Sequence, residues 1–338
     1  MRPILLATGL VLVLISQFSL LPAQETPESL RKEARELGTK QNEMQKEVRR
    51  IQAEVHRLEG RAFALDNKEK LDESISAIKA ERPENERKVL LYSRTRGFRH
   101  KSIPYGIHVL TELGIKTGAY RVDATEDPAV FTPENLAQYD GIIMLNTTGG
   151  DAIPDGEARK AFESFLEGNK GLIGIHAATD CHAGWNNYRE AMGGLFDGHP
   201  WGAGHLVTLY NEEPDHPVSE CVPQSYQMKD EIYQYKDDEH FTRDKLRILL
   251  SLDLSGEKMK ANHMKRKDHD YAVSWIRPYK GSRVFYSNLG HNDFTYYNPV
   301  ALQHFLNGIQ YALGDLAADD RSSAAIGNGT PKPPPPGF

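Results

Sequence analysis

Between residues 88 and 176 short apolar runs alternate with amphipathic segments, and this alternation restricts the fold more than any other feature of the chain. KVLLYSR (88–94), GAYRVDA (118–124), GIIMLNT (141–147) and GLIGIH (171–176) are predicted strands. Helices are predicted over about 102–113, over TPENLAQY (132–139) and over PDGEARKAFESFLEGN (154–169). Strands that read as near-continuous apolar runs are buried on both faces, which a parallel sheet covered by helices provides. After Tyr188 comes an irregular stretch rich in Gly, His, Asp and Pro. Strands resume at 205–210, 225–235, 246–252, 271–279 and 281–290. A closing helix over 298–314 begins at Asn298-Pro299 and ends at Gly314, the residue types that cap helices. The expected fold is α/β, a mostly parallel sheet flanked by helices.

The segments before and after this unit follow different patterns. Residues 1–23 read as a signal peptide: Arg2, an apolar run over 4–15, and Leu21-Pro22-Ala23 before polar Gln24. The run is short for a spanning helix, so the protein is expected to be exported, periplasmic or extracellular, and free of the membrane after cleavage. In residues 24–82, Leu30, Leu37, Met44, Ile51 and Leu58 recur every seven positions, with Ala34, Gln41, Val48 and Val55 between them. That pattern predicts a coiled-coil-like helix over 27–59, stopped by Gly60, and a weaker helix over 66–79. Two arrangements fit it: homo-oligomer formation through residues 26–60, or packing back on the chain's own domain. Residues 316–338, ending PKPPPPGF, are poor in apolar groups and are expected to be a disordered tail. A net charge of −6 argues against a nucleic-acid surface, which needs a basic patch. Export would permit a disulfide between Cys181 and Cys221, the two cysteines of the chain; the alternative is two small buried residues.

In an open parallel sheet ligands bind beyond the carboxyl ends of the strands. The first such end offers Arg94, Phe98 and His100; the third offers Thr147 and Thr148 beside two glycines; the fourth is His176; the run 281–290 leads to His291 and Asp293. GIHAATD has the form of a nucleophile elbow, a sharp strand-to-helix turn flanked by small residues, here Ala177 and Ala178. Histidine at that apex is a weak covalent nucleophile and a good general acid or base. Histidine pairs at 176/182 and 199/205 lack the short spacings of zinc motifs, so no residue is assigned to a metal. A divalent metal gathered from several loops stays open.

FRH, NTTGG, GIHAATD, GGLFDGHP, DEIY and SNLGH, in this order, resemble the ThuA-like (trehalose-utilisation) family over about residues 86–315. That family belongs to the class I glutamine amidotransferase-like superfamily, with a flavodoxin-like fold. The resemblance places His176 where the amidotransferases carry their cysteine and matches His291 to their later histidine, so it implies no glutaminase activity. It further implies a carbohydrate substrate, in particular an oxidised 3-keto disaccharide. Base-assisted elimination beside the carbonyl needs a base, an acid and a donor to the enolate oxygen, roles that fall among His176, His291, Asp180 and Glu231. Substrate contacts are expected from Arg94, Phe98, His100, Thr147, Thr148, His199, Trp201 and Asp293. The expected enzyme is a lyase or hydrolase acting on keto-sugars; the alternative is a non-catalytic carbohydrate-binding module.

Overall fold

The computed structural model describes residues 26–256 and 259–338, so the expected signal peptide lies outside the described residues. Nine strands among them form one sheet: β1 (Lys88–Tyr92), β2 (Arg121–Thr125), β3 (Gly141–Leu145), β4 (Gly171–Ile175), β5 (Leu206–Asn211), β6 (Ser225–Lys229), β7 (Arg247–Leu252), β8 (Ala272–Tyr279) and β9 (Ser282–Ser287). The order is β2-β1-β3-β4-β9-β8-β7-β5-β6. From β2 to β9 the strands are parallel, in the order of flavodoxin-like sheets. From β9 to β6 every pair is antiparallel.

The sheet is therefore mixed rather than mostly parallel, and a turn explains the change. Lys280 and Gly281 between β8 and β9 both have positive φ, 48° and 92°. A two-residue loop of that kind closes a hairpin and forces the two strands to run opposite ways. The expected strand over 225–235 also stops early, at Lys229, where Asp230 turns the chain.

The helices are α1 (Pro27–Asp66), α2 (Lys68–Ser76), α3 (Ile103–Thr117), α4 (Pro133–Leu136), α5 (Glu157–Leu166), α6 (Asn186–Met192) and α7 (Pro299–Leu313). They cover both faces of the parallel half, which accounts for the continuous apolar strands. In β1, Val89 and Leu91 join the core that contains α3 and α7, and Leu90 and Tyr92 join the core that contains α5 and α6. The Asn298 side chain accepts hydrogen bonds from the N–H groups of Val300 and Ala301, at 3.0 and 3.1 Å, and caps α7 as expected.

The chain divides into two units, Met1–Gln52 and Ala53–Phe338, and α1 contributes to each. In the first unit Leu30, Leu37, Met44, Val48 and Ile51 are exposed. In the second, Phe63, Leu71 and Ile75 are buried in the core, and the Phe63 ring stacks on Tyr105 with centroids 4.3 Å apart. Residues 53–76 thus belong to the α/β unit rather than to a separate segment ending at 82. Nor does Gly60 stop the helix, which continues to Asp66. A Cβ on Gly60 would lie 2.7 Å from the Pro104 carbonyl oxygen and 2.9 Å from the His108 Cβ, so glycine permits α1 to cross α3.

The tail also departs from expectation. Ser323 is buried; its N–H donates to the Leu246 carbonyl at 2.9 Å, and its hydroxyl accepts from the Ile248 N–H at 2.8 Å. Farther along, Lys332 pairs with Asp253 at 2.8 Å. Backbone and polar side chains hold residues 316–338 against the region of β7, so low apolar content does not leave them disordered. Among the described residues, no helix is long and apolar enough to cross a membrane.

These contacts set the sign of one substitution. On helix propensity alone Gly60→Ala would stabilise by about 1 kcal/mol. Overpacking against a backbone oxygen costs about 1–3 kcal/mol and leaves little room to relax. Gly60→Ala is expected to lower the melting temperature, measured by circular dichroism; a rise would contradict the close crossing of α1 over α3.

Candidate functional site

Parallel pairing aligns Ile175 of β4 with Ser287 of β9, so the next residues leave the sheet side by side. His176 follows β4 at φ 49°, in the left-handed region that favours glycine. Two bonds hold it there. The Tyr286 hydroxyl donates to the His176 carbonyl at 2.7 Å, and His176 Nδ1 lies 2.6 Å from the Asn288 carbonyl oxygen. A carbonyl only accepts, so Nδ1 carries a hydrogen and Nε2 is the nitrogen left to face other groups. Ala177 and Ala178, fully buried in the short 3-10 turn that follows, leave room for this reversal.

That Nε2 faces a cluster. His291 Nδ1 lies 3.3 Å from it, and Glu231 Oε2 lies 3.5 Å from His176 Nε2 and 3.0 Å from His291 Nδ1. His100 completes the group, its ring centroid 4.8 Å from that of His176 and 5.1 Å from that of His291. His199 stands at the mouth, half-exposed, its Nδ1 3.5 Å from Glu231 Oε1. The Tyr233 ring packs 4.6 Å from His176, and Phe196 packs 4.4 Å from Tyr233.

Asp230 fastens Glu231 to His291. Its buried carboxylate accepts from the backbone N–H of Glu231 (3.0 Å), Gly290 (2.8 Å) and Asn292 (3.2 Å), and from the Thr295 hydroxyl (3.0 Å). A second support comes from β3. Ser102 donates to the Gly290 carbonyl at 2.9 Å, and Asn146, at φ 50°, donates to Ser102 at 3.1 Å.

Burial and charge act on these groups in opposite senses. Burial alone would raise Glu231, but the hydrogen bonds from His176 and His291 prevail and hold its carboxyl well below the usual range. Burial would lower His291, but the bond and charge of Glu231 raise it. Burial, followed by the charges of His176 and His291, pushes His100 down to about 3 and keeps it neutral. Asp180, half-buried at the end of the turn, is pushed up to about 6 by burial, against the opposing pull of His176 and His199.

Of the residues singled out in the sequence, His176, His291, Glu231, His100 and His199 come together, and Asp180 is near enough to feel two of them. The exposed Phe98 packs edge-on to His100, with centroids 4.9 Å apart. The other residues have different roles. Trp201 is fully buried, donates from Nε1 to the Met259 carbonyl at 3.0 Å and packs on Tyr271; it is core, not a sugar platform. Arg94 donates to the Ala152 carbonyl at 3.2 Å and fastens a loop. The Thr148 hydroxyl donates to the Phe98 carbonyl at 2.9 Å and accepts from the Gly97 N–H at 3.2 Å, which positions the loop leading to His100. Thr147 is fully buried beside Cys181 and Tyr188. Asp293 is exposed and caps its own turn through the Phe294 N–H at 2.7 Å.

Cys181 and Cys221 are both free thiols, not a disulfide. Burial raises the Cys181 thiol, whose sulfur lies 3.3 Å from the Gly149 carbonyl. His182 hydrogen-bonds through both ring nitrogens, to Gly150 and Ile153, and is structural. Residues that sequence reasoning missed are Asp230, Tyr233, Asn288, Tyr286, Ser102 and Asn146. Four of them sat inside the motifs named above, Asn146 in NTTGG, Asp230 and Tyr233 in DEIY and Asn288 in SNLGH. Asn146 shared the signal that marked His176, a polar residue ending a buried strand.

The cluster also has the composition of a metal site. His100, His176, Glu231 and His291 each offer one ligand atom, all within 4.8 Å of one another. Four residues from four separate parts of the chain carry no spacing signature, so the sequence assigned none of them to a metal.

The ThuA family model, described as trehalose utilisation, matches residues 88–312, from β1 to the end of α7. A solved ThuA-like protein of Bacteroides uniformis is 25% identical with a TM-score of 0.55, over 70% of this chain and 94% of that one. A ThuA-like protein of Parabacteroides merdae, 18% identical with a TM-score of 0.55 over 70% and 93% of the two chains, is alike in fold. No curated protein matches the chain. The matched span contains β4, β9 and all four residues of the cluster, and the chain belongs to the ThuA family of trehalose utilisation.

Proposed function

We propose that this protein cleaves or rearranges a keto-sugar glycoside, with the chemistry at His176, His291, Glu231 and Asp180. Family membership gives it a carbohydrate-related role. The observation that carries the finer reading is the convergence of three imidazoles and a carboxylate at a strained elbow, with Asp180 beside it and aromatic rings at the mouth. In a 3-keto glycoside the proton on C2 is acidified by the neighbouring carbonyl. A base on the protein takes that proton, the electron pair forms the C1–C2 double bond, and the C1–O bond breaks. The departing oxygen takes a proton from an acid. Charge that develops on the carbonyl oxygen needs a preorganised partner, and these buried groups supply one without reorganising. Glutamine hydrolysis does not fit the site: the elbow carries His176, and the thiol of Cys181 is buried and held protonated.

The test is incubation with matched glucosides and 3-keto glucosides, followed by mass spectrometry. Release of the aglycone from the keto forms alone is expected. His176→Ala and His291→Ala should each reduce turnover by about 10²–10⁴-fold with the circular dichroism spectrum unchanged. Sugar binding without turnover of any member would favour a binding module; full activity in either variant would contradict the assignment.

We propose further that a second copy of this chain covers the exposed stripe of α1. Leu30, Leu37, Met44 and Ile51 keep heptad spacing and are each about half exposed, at 46%, 47%, 51% and 52%. Each such side chain gains about 1.5–3 kcal/mol when fully buried. Deleting residues 26–52 leaves Phe63, Leu71 and Ile75 in the core, and is expected to convert an oligomer to a monomer in light scattering. The same oligomeric mass after deletion would contradict pairing through this stripe.

A further inference from the structure

We propose that His100, His176, His291 and Glu231 form a binding site for one divalent transition-metal ion, with zinc the ion that best fits the spacing. This deepens the proposed function and rests on it for the role of the ion, though not for its binding.

The three closest ligand atoms make a triangle with edges of 3.0, 3.3 and 3.5 Å. Tetrahedral zinc with bonds of about 2.0–2.1 Å places its ligand atoms about 3.3 Å apart, so the triangle already has the right size. His100 supplies the fourth corner within 4.8 Å.

The hydrogen-bond inventory points the same way. His176 donates from Nδ1 to the Asn288 carbonyl, the outer contact that fixes the tautomer and orientation of metal-binding histidines. Its Nε2 faces Glu231 Oε2 at 3.5 Å and His291 Nδ1 at 3.3 Å, both wider than an ideal hydrogen bond. A single hydrogen on His291 Nδ1 can serve only part of this group. His100 is 3% exposed, and its Nδ1 is buried without a hydrogen-bond partner. Buried polar atoms are rarely left unpaired, and a partnerless imidazole nitrogen beside two other imidazoles leaves His100 with ligand capacity that no protein group uses. Three imidazoles and one carboxylate are a donor set suited to zinc and its first-row neighbours rather than to magnesium or calcium.

A second group, Asp238, Glu239 and His240, also meets the distance criterion but is already committed. Asp238 pairs with Arg189, and His240 Nε2 bonds to the Asn186 side chain at 2.9 Å. In the elbow cluster, a bound cation would stabilise negative charge on the carbonyl oxygen of a keto-sugar.

The experiment is calorimetric titration of the untagged, chelator-treated full chain with zinc chloride. One saturating site per chain is expected. Glu231→Gln and His100→Ala should weaken binding at least 10-fold, and the double variant His176→Ala/His291→Ala should abolish the site. His205→Ala, at an exposed histidine outside the cluster, should bind as the wild type does. Cobalt(II) added to the wild type should give the intense visible absorption of a four-coordinate ion, a readout that needs no variant to fold. No saturable binding by the wild type, or full binding by the double variant, would overturn the site. Zinc binding without turnover of any keto-glycoside would uphold the site and defeat the proposed reaction; turnover by metal-free protein that binds no zinc would do the reverse.

Discussion

The parallel pairing of β9 with β4 is the constraint on which the rest of the site depends. The two strands are more than a hundred residues apart in sequence, yet their register places Ile175 opposite Ser287. His176 and Asn288 therefore emerge together, and the 2.6 Å hydrogen bond between them orients the imidazole and selects its tautomer. Tyr286, one residue before the end of β9, ties down the His176 carbonyl from the same strand. The hairpin at Lys280-Gly281 matters to function for this reason. By turning β8 back into β9, it delivers the second strand of the pair to the middle of the sheet.

Strain at the elbow is tolerated because its surroundings over-determine it. A non-glycine residue with positive φ costs on the order of 1–3 kcal/mol. That cost is met twice on this rim, at His176 and at Asn146. Asn146 holds Ser102, Ser102 holds Gly290, and Asp230 holds Gly290, Asn292 and Glu231. The network joins the ends of β3, β4, β6 and β9, so the side chains that face one another are placed by backbone hydrogen bonds rather than by contacts with a ligand. Such preorganisation lets buried groups act on developing charge without rearranging.

Much of the fold was legible because its strands are short, apolar and separated by helices with clear caps. His176, His291 and Glu231 were legible because each follows a run of strand-forming residues. What escaped the sequence has identifiable physical causes. Trp201 sits in a loop full of Gly, His and Asp, but burial of an indole depends on Tyr271 and Met259, which come much later in the chain. Gly60 has the same composition signal whether it ends a helix or admits a neighbour, and only the approach of Pro104 distinguishes the two. The tail is held by backbone and polar contacts that no apolar pattern announces. The fourfold cluster is a product of topology, since none of its members is near another in sequence.

The most direct measurement is a crystal structure with an unreactive keto-sugar, one in which a carbon atom replaces the glycosidic oxygen. The account predicts the carbonyl oxygen at the elbow, within about 3 Å of a group of the His100, His176, His291 and Glu231 cluster or of an ion held by it, with C2 turned toward Asp180. A sugar bound elsewhere on the chain, or one at the elbow with its carbonyl directed to solvent, would contradict it.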